Sequence, residues 1–515
     1  MRLRASFALV RQRFEPKTKI CFEGGIRYFV QMISHKKSFG QYFTPSVVAG
    51  ALVSWVIENP RQQLLDPSCG DGQFLVHHKR SVGVELDPDQ ARKARDRSPG
   101  SLVHGGEFFT WSCSTKERFD AIAGNPPFIR YQSFTGEVRA QALACASLMG
   151  ADFSAMTSSW APFVIVAAGL LKPGGKMAFV VPAEIGHANY AQALIPALCN
   201  HFGKVHIVAC REKLFPELSE DCWLLHCSGF GSRTSTIQLS VVDRFVPSAV
   251  APKANRKVSL ARWRAAGGRL RPFILSSEAL GLYHDLTAGP DVRRLGELAA
   301  TNIGYVSGAN DFFHLRPSEA RRFRLPDGLL RVTVRKSAQL PSSRVTVDDV
   351  KGWVDADKPV LLLDLNGIDR LPKSVRDYID SEPGEQARQS YKCRNRRPWY
   401  AVPDIKVPDG FLSVMNGGRP QLIRNDASCV CTNSLHTVRL KSAVSFPAIQ
   451  RGWNSPLTEL GTELEGHPLG GGMLKLEPRE AASIPVPIKK LSLGPDEGAI
   501  LLDSLTIMRQ WRHHA

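Results

Sequence analysis

The stretch QLLDPSCGDGQFLVHHKRSVGVELDPD, residues 63–89, decides the fold. A short apolar run ends in an acidic residue, a turn of small residues and glycines follows, and a second apolar run ends in Glu85-Leu86-Asp87. Apolar runs of this length, bounded by Gly and Pro, read as buried strands. Gln63–Asp66 and Ser81–Glu85 are the first two. Gly70 and Gly72 let the intervening backbone turn sharply and approach a ligand closely. Residues 73–78 can open a helix, and residues 89–97 carry a second one. Strands are expected at 101–104, 119–124, 176–181, 204–209 and 222–227, with helices at 46–58 and 160–171. Strands alternating with helices give a doubly wound α/β sheet, in which ligands sit at the carboxyl ends of the strands.

The turn C-G-D-G-Q-F is neither G-x-G-x-x-G nor a P-loop, so no pyrophosphate cradle is present. Glu85, at a strand's carboxyl end, can accept hydroxyl protons from a ribose. Asp66 and Asp71 favour a cationic ligand. The combination describes a nucleoside-like group without phosphates, and S-adenosyl-L-methionine is such a ligand. Singly, Asp71 reads equally well as a helix cap and Glu85 as a solvated strand end.

Downstream, AGNPPFIRYQ (123–132) ends the strand at 119–124 in Asn125-Pro126-Pro127-Phe128. Prolines cannot continue a sheet ladder, so this strand is stopped and shaped where a ligand would lie. On its own, Asn-Pro-Pro-Phe reads as a structural Pro-Pro turn; the alternative is that Asn125 and Phe128 hold a ligand there.

The chain has 515 residues, room for two or three domains. Its formal charge of +18 points to an anionic partner, of which nucleic acid is the commonest. The eleven cysteines are scattered, with no C-x-x-C pair. His201, His206 and Cys210 read as packing residues, and no metal site is expected. A reduced, cytoplasmic chain with no membrane segment is the simplest reading.

In order, Phe43-Thr44-Pro45, DPSCGDGQFL, VGVELDP, GEFF and GNPPF resemble the gamma-class DNA adenine-N6 methyltransferases of restriction–modification systems, of the Eco- and Taq-type that carry a C-terminal target-recognition domain. The resemblance covers most of the chain and continues through residues 171–185, 213–225, 302–315 and 470–487. It implies a Rossmann-like S-adenosylmethionine-dependent methyltransferase domain followed by an α+β target-recognition domain. The expected organisation is a basic extension (1–37), a catalytic domain (38–245), a connection (246–292), a recognition domain (293–488) and a C-terminal helical segment (489–515). It further implies that Phe43, Thr44 and Pro45 line the methionine side of the cofactor. Asp66, Ser68 and Gly70 would contact the methionine moiety, Glu85 the ribose, and Glu107 and Phe108 the cofactor adenine. Glu107 departs from the family's usual Asp, and the span from Gly72 to Glu85 is short for the family. Asn125, Pro126, Pro127 and Phe128 would be catalytic, with Phe215 a second aromatic against the flipped target base.

The partner implied is double-stranded DNA, with a cognate restriction endonuclease acting on the same sequence; the default is a monomer in a bacterial or archaeal cytoplasm. Arginines of residues 321–336 and 391–400 are candidates for phosphate or guanine contacts. The residues leave three rivals open: an N-P-P-aromatic methyltransferase of rRNA guanine, one of a protein glutamine, and a DNA-binding relative without turnover.

Overall fold

The computed structural model describes residues 44–215, 221–441 and 443–513. Phe43 and the expected extension at 1–37 lie outside them. The chain divides into two compact units, Met1–Ile274 and Leu275–Ala515.

The first unit is built on one nine-stranded sheet. Its strands are β1 (Leu64–Asp66), β2 (Ser81–Glu85), β3 (Leu102–Gly105), β4 (Phe119–Gly124), β5 (Leu171–Pro182), β6 (Phe202–Cys210), β7 (Cys222–Phe230), β8 (Thr236–Val242) and β9 (Arg256–Ser259). They lie in the order β3-β2-β1-β4-β5-β7-β6-β8-β9. The five strands from β3 to β5 run parallel, and β7 is antiparallel to both its neighbours. β1 and β2 are buried along their whole length, which is why they read as continuous apolar runs and not as alternations. The strand order reverses between β1 and β4. That is the topological switch point, where a crevice opens beyond the carboxyl ends.

The helix Trp160–Ala168 is buried on every side, as its unbroken apolar text requires. The helix Pro88–Arg97 starts on a cap, with the Asp87 side chain accepting from Asp89 N at 2.9 Å and Pro88 opening the first turn. The helix expected at 73–78 is a single 3-10 turn, Leu75–His77. Gly72, at φ +87°, lies against Ala94 of the next helix, where a Cβ would meet Ala94 Cα at 3.1 Å. The chain must then reach β2 by Ser81, which leaves no length for more.

The basic stretch expected as a connection does otherwise. Residues 256–259 form β9, antiparallel to β8, with Val258 buried. The helix Leu260–Ala265 follows on a Ser259 cap and buries Trp263. Arg256 and Lys257 sit on the sheet's last strand, where charge blocks pairing with a further strand. The division of the chain, at Ile274, falls inside the expected connection.

The second unit is α+β. Its largest sheet orders Ala299–Ile303, Leu435–Leu440, Gly410–Ser413, Leu422–Asn425 and Arg344–Val345. One core gathers Leu295, Leu412, Val438, Trp453 and Val486. Another gathers Tyr305, Phe312, Phe313 and Tyr378, with Tyr378 stacked on Phe312 at 4.8 Å. The closing helix is Pro495–Gln510 and packs on Pro456–Glu465. Among the described residues no helix is long and apolar enough to cross a membrane.

Candidate active site

A cavity of about 370 Å³ opens at the switch point of the first unit. The turn after β1 supplies Ser68 and Gly70, the end of β2 supplies Glu85, and the turn after β3 supplies Glu107 and Phe108. The turn after β4 supplies Asn125 and Pro127. Four segments separated in sequence thus meet in one place, as the sequence motifs require.

The acidic side is buried. Asp66 is fully buried, and its Oδ1 accepts from Ser68 N at 3.1 Å. Its Oδ2 has no hydrogen-bond partner. Burial, with Glu85 nearby adding to it, pushes the Asp66 carboxyl up to about 8. Glu85 is also pushed up by burial, although its two oxygens accept from Gly70 N and Asp87 N, each at 2.8 Å. Gly70, at φ +53°, turns its amide onto that carboxylate. Gly124 is dictated by proximity, because a Cβ there would stand 2.8 Å from Asp66 Oδ1. Asp71, expected to favour a cation, is instead paired with Arg97 at 2.8 Å.

The opposite wall is apolar. Phe108 packs on Phe163 with ring centroids 4.3 Å apart, and Phe109, Phe134, Ile129 and Val138 complete it. Glu107 lines the cavity and caps the helix Phe108–Ser114, its Oε2 accepting from Thr110 N at 2.8 Å.

Two serines hold the Asn125–Phe128 turn. Ser68 Oγ donates to the Asn125 carbonyl at 3.0 Å, joining the turn after β1 to the turn after β4. Ser159 Oγ donates to the Pro127 carbonyl and accepts from Ile129 N at 3.0 Å. The carbonyl between them, that of Pro126, receives no hydrogen bond among the described residues. Ser159 was not legible as a site residue. A serine just before an apolar helix reads as an N-cap, yet its side chain makes no cap bond and reaches back to the proline turn instead.

The remaining expected site residues stand apart from the cavity wall. Thr44 is buried, and Pro45 caps the helix Ser46–Val56. Phe215 is buried, and half-buried Phe128 packs on the same apolar cluster, which includes Val48, Leu52 and Val56 of that helix. Pro126 is buried beside them in sequence. His206 bonds Ser240 Oγ at 2.8 Å and His201 bonds the Met149 carbonyl at 2.9 Å. In the second unit, Arg396 donates to the carbonyls of Val306 and Ser307 and so pins the chain just before Gly308. Lys392, Arg394 and Arg397 around it are exposed.

Three family profiles match in succession. N-6 DNA Methylase matches residues 21–95, the Eco57I restriction-modification methylase residues 82–215, and the C-terminal domain of type II methyltransferase M.Eco57I residues 268–505. The type II methyltransferase M.AccI of Acinetobacter calcoaceticus is 21% identical over 491 residues, covering 87% of this chain and 85% of that protein. M.CvrRI of Paramecium bursaria Chlorella virus XZ-6E is 36% identical over 96 residues, 17% of this chain and 24% of its own. Among solved structures, the Type IIL restriction-modification enzyme MmeI in complex with DNA shares the fold, with a TM-score of 0.52 at 13% identity over 85% of this chain and 63% of that one. Profiles in both units, a relative matched along most of its length, and a switch-point cavity lined by Asn125 and Pro127 agree: the chain belongs to the gamma-type N6-adenine methyltransferases of restriction–modification systems.

Proposed function

We propose that this chain methylates the N6 amine of an adenine flipped out of duplex DNA, with S-adenosyl-L-methionine as donor, as the modification enzyme of a restriction–modification pair. The observation that carries the reading is the Ser68 Oγ bond to the Asn125 carbonyl, which makes the acidic turn and the Asn-Pro-Pro-Phe turn one site.

The residues fit the donor. Asp66 keeps a buried oxygen without a partner, suited to a cationic or N–H-bearing group. Glu85 is held by two backbone amides and can take ribose hydroxyls on its remaining lone pairs. The wall of Phe108, Phe163 and Ile129 suits a purine. When bound, the sulfonium supplies an activated methyl group. Asn125 Oδ1 and the Pro126 carbonyl accept from the two N–H bonds of the target amine. With the neighbouring carbonyls held by Ser68 and Ser159, the Pro126 carbonyl is the one free to do so. The two serine bonds hold the turn that carries both acceptors before the base arrives, so little reorganisation is required. Phe128 supplies a stacking face, worth ~1–3 kcal/mol per base, which offsets part of the unstacking cost. Glu107 is the adenine-side carboxylate of the donor, with one oxygen committed to its helix. Thr44, Pro45 and Phe215 close the site from the side of the helix Ser46–Val56.

The test incubates purified chain with S-adenosyl-L-methionine and mixed-sequence duplex, then measures nucleosides by mass spectrometry. Wild type should yield N6-methyladenine. Asn125→Ala should keep donor binding and lose ~10²–10³ in turnover, the scale of one preorganised polar contact. Donor binding with no methylated base would move the substrate to RNA or protein.

A further inference from the structure

Two helices beside the cavity carry a thiol pair that methyl transfer does not use. Cys113 lies on Phe108–Ser114 and Cys145 on Gly136–Leu148, with their sulfurs 2.8 Å apart. On the same two helices Thr110 Oγ1 donates to Gln141 Oε1 at 3.1 Å, so the pair is held in register. Both cysteines are half-buried, while every other described cysteine is buried. Cys21 lies outside the described residues.

Burial raises the Cys69 and Cys227 thiols strongly and pushes Cys199, Cys210, Cys429 and Cys431 to about 12. Cys113 goes the other way. The hydrogen bond it shares with Cys145 brings it down to about 6, and the same bond raises Cys145. The two half-buried sulfurs, 2.8 Å apart, share a hydrogen bond that favours a thiolate on one and a proton on the other. That is the arrangement of an attacking and a resolving cysteine.

We infer that Cys113 and Cys145 form a peroxide-sensitive modification site, closing reversibly to a disulfide that joins the two helices walling the cavity. The Cys113 thiolate attacks one oxygen of hydrogen peroxide. An S–O bond forms, the O–O bond breaks, and hydroxide leaves and takes up a proton to become water. Cys113 is then a sulfenic acid and no longer negative, so Cys145 can release its proton. The Cys145 sulfur attacks Cys113, an S–S bond forms, the S–O bond breaks, and a second water leaves. Two thiols are oxidised and one peroxide is reduced to two waters. An added dithiol reverses the step.

Neither cysteine lines the cavity, so Cys113→Ser and Cys145→Ser should retain basal activity. The test treats the full chain with stoichiometric hydrogen peroxide, alkylates it, and maps its peptides by mass spectrometry. The expected result is a Cys113–Cys145 cross-linked peptide, lost on dithiothreitol treatment, forming at least ~10-fold faster than oxidation of any buried cysteine. Cys145→Ser should leave a sulfenic acid at Cys113 that dimedone traps, and Cys113→Ser should leave nothing to trap. No cross-link, with both residues still alkylated, would overturn the inference. Equal oxidation of the buried cysteines would do the same. Asn125→Ala should oxidise like wild type, so failure of the methyl-transfer reading would not touch this one.

Discussion

The two units each bury charge, and they do so in opposite ways. In the second, Arg512 and Glu463 are both nearly inaccessible, and Arg512 Nε and Nη2 donate to the carboxylate at 2.8–3.1 Å. Arg512 Nη1 also donates to the carbonyls of Gly417 and Gly472. Every charge there is answered within the chain. In the first unit, Glu85 lines the cavity and Asp66 is buried behind it, with no described cation paired to either, and Asp66 Oδ2 is unpartnered. The first arrangement fastens a fold, and the second holds open a place for something to bind. A buried acidic group left incomplete is costly, and such groups concentrate where a ligand completes them.

Three experiments press on that contrast. The largest effect concerns Asp66. Its folded-state value of about 8 lies above the ordinary 3.8, so below about pH 4 both states hold the proton and nothing is lost. As pH rises towards 8, the unfolded chain releases the proton while the native state must retain it or bury a charge. Stability therefore falls through that window, at on the order of 1.4 kcal/mol per pH unit in the limit. Glu85 contributes in the same sense. Buried His206 and His226, held low by burial, act oppositely towards acid, so the informative quantity is wild type minus Asp66→Asn. In urea melts without donor, the variant should gain relative stability from pH 5 to pH 8 while binding the donor more weakly. Parallel pH profiles would show that Asp66 is satisfied after all.

Next comes Arg512. Arg512→Ala should cost up to ~3–5 kcal/mol, because Glu463 stays buried and loses its closest cation, keeping the longer contact to Arg509 Nε at 3.7 Å. Arg512→Leu combined with Glu463→Leu should recover most of it, as measured by chemical denaturation. If the pair of changes is no better than the single one, the ion pair is not the closed arrangement described above.

The smallest effect belongs to Ser159→Ala. Loss of its two hydrogen bonds, to the Pro127 carbonyl and from Ile129 N, at ~0.5–1.5 kcal/mol each, should lower kcat by at least several-fold. KM for the donor should hold, and Ser159→Thr should recover the rate. A change in KM alone would make Ser159 a wall residue only.

Much of the first unit could be read in advance because its parallel strands are buried on both faces and end in distinctive turns. The segments 64–66, 81–85 and 119–124 announce themselves by apolar runs closed by Asp, Glu and Asn-Pro-Pro. β9 does not, since an edge strand is written in charge and reads like a linker. Ser159 was hidden for another reason. Its partners lie some thirty residues upstream, and no local pattern encodes that reach. The second unit resisted because its strands are two to six residues long and pair across large separations, as Ala299–Ile303 does with Leu435–Leu440. Arginines there could be flagged by composition, but not sorted. Arg396 proves to fasten a distant loop, at Val306 and Ser307.

The bond from Ser68 Oγ to the Asn125 carbonyl bears on how such a site can drift over generations. Residues 57 positions apart in the chain are joined by one hydrogen bond, so the turn after β1 and the turn after β4 are inherited as a linked pair. A substitution that relaxes one loosens the other. Variation in what the protein recognises is therefore more readily accommodated away from these two turns than within them.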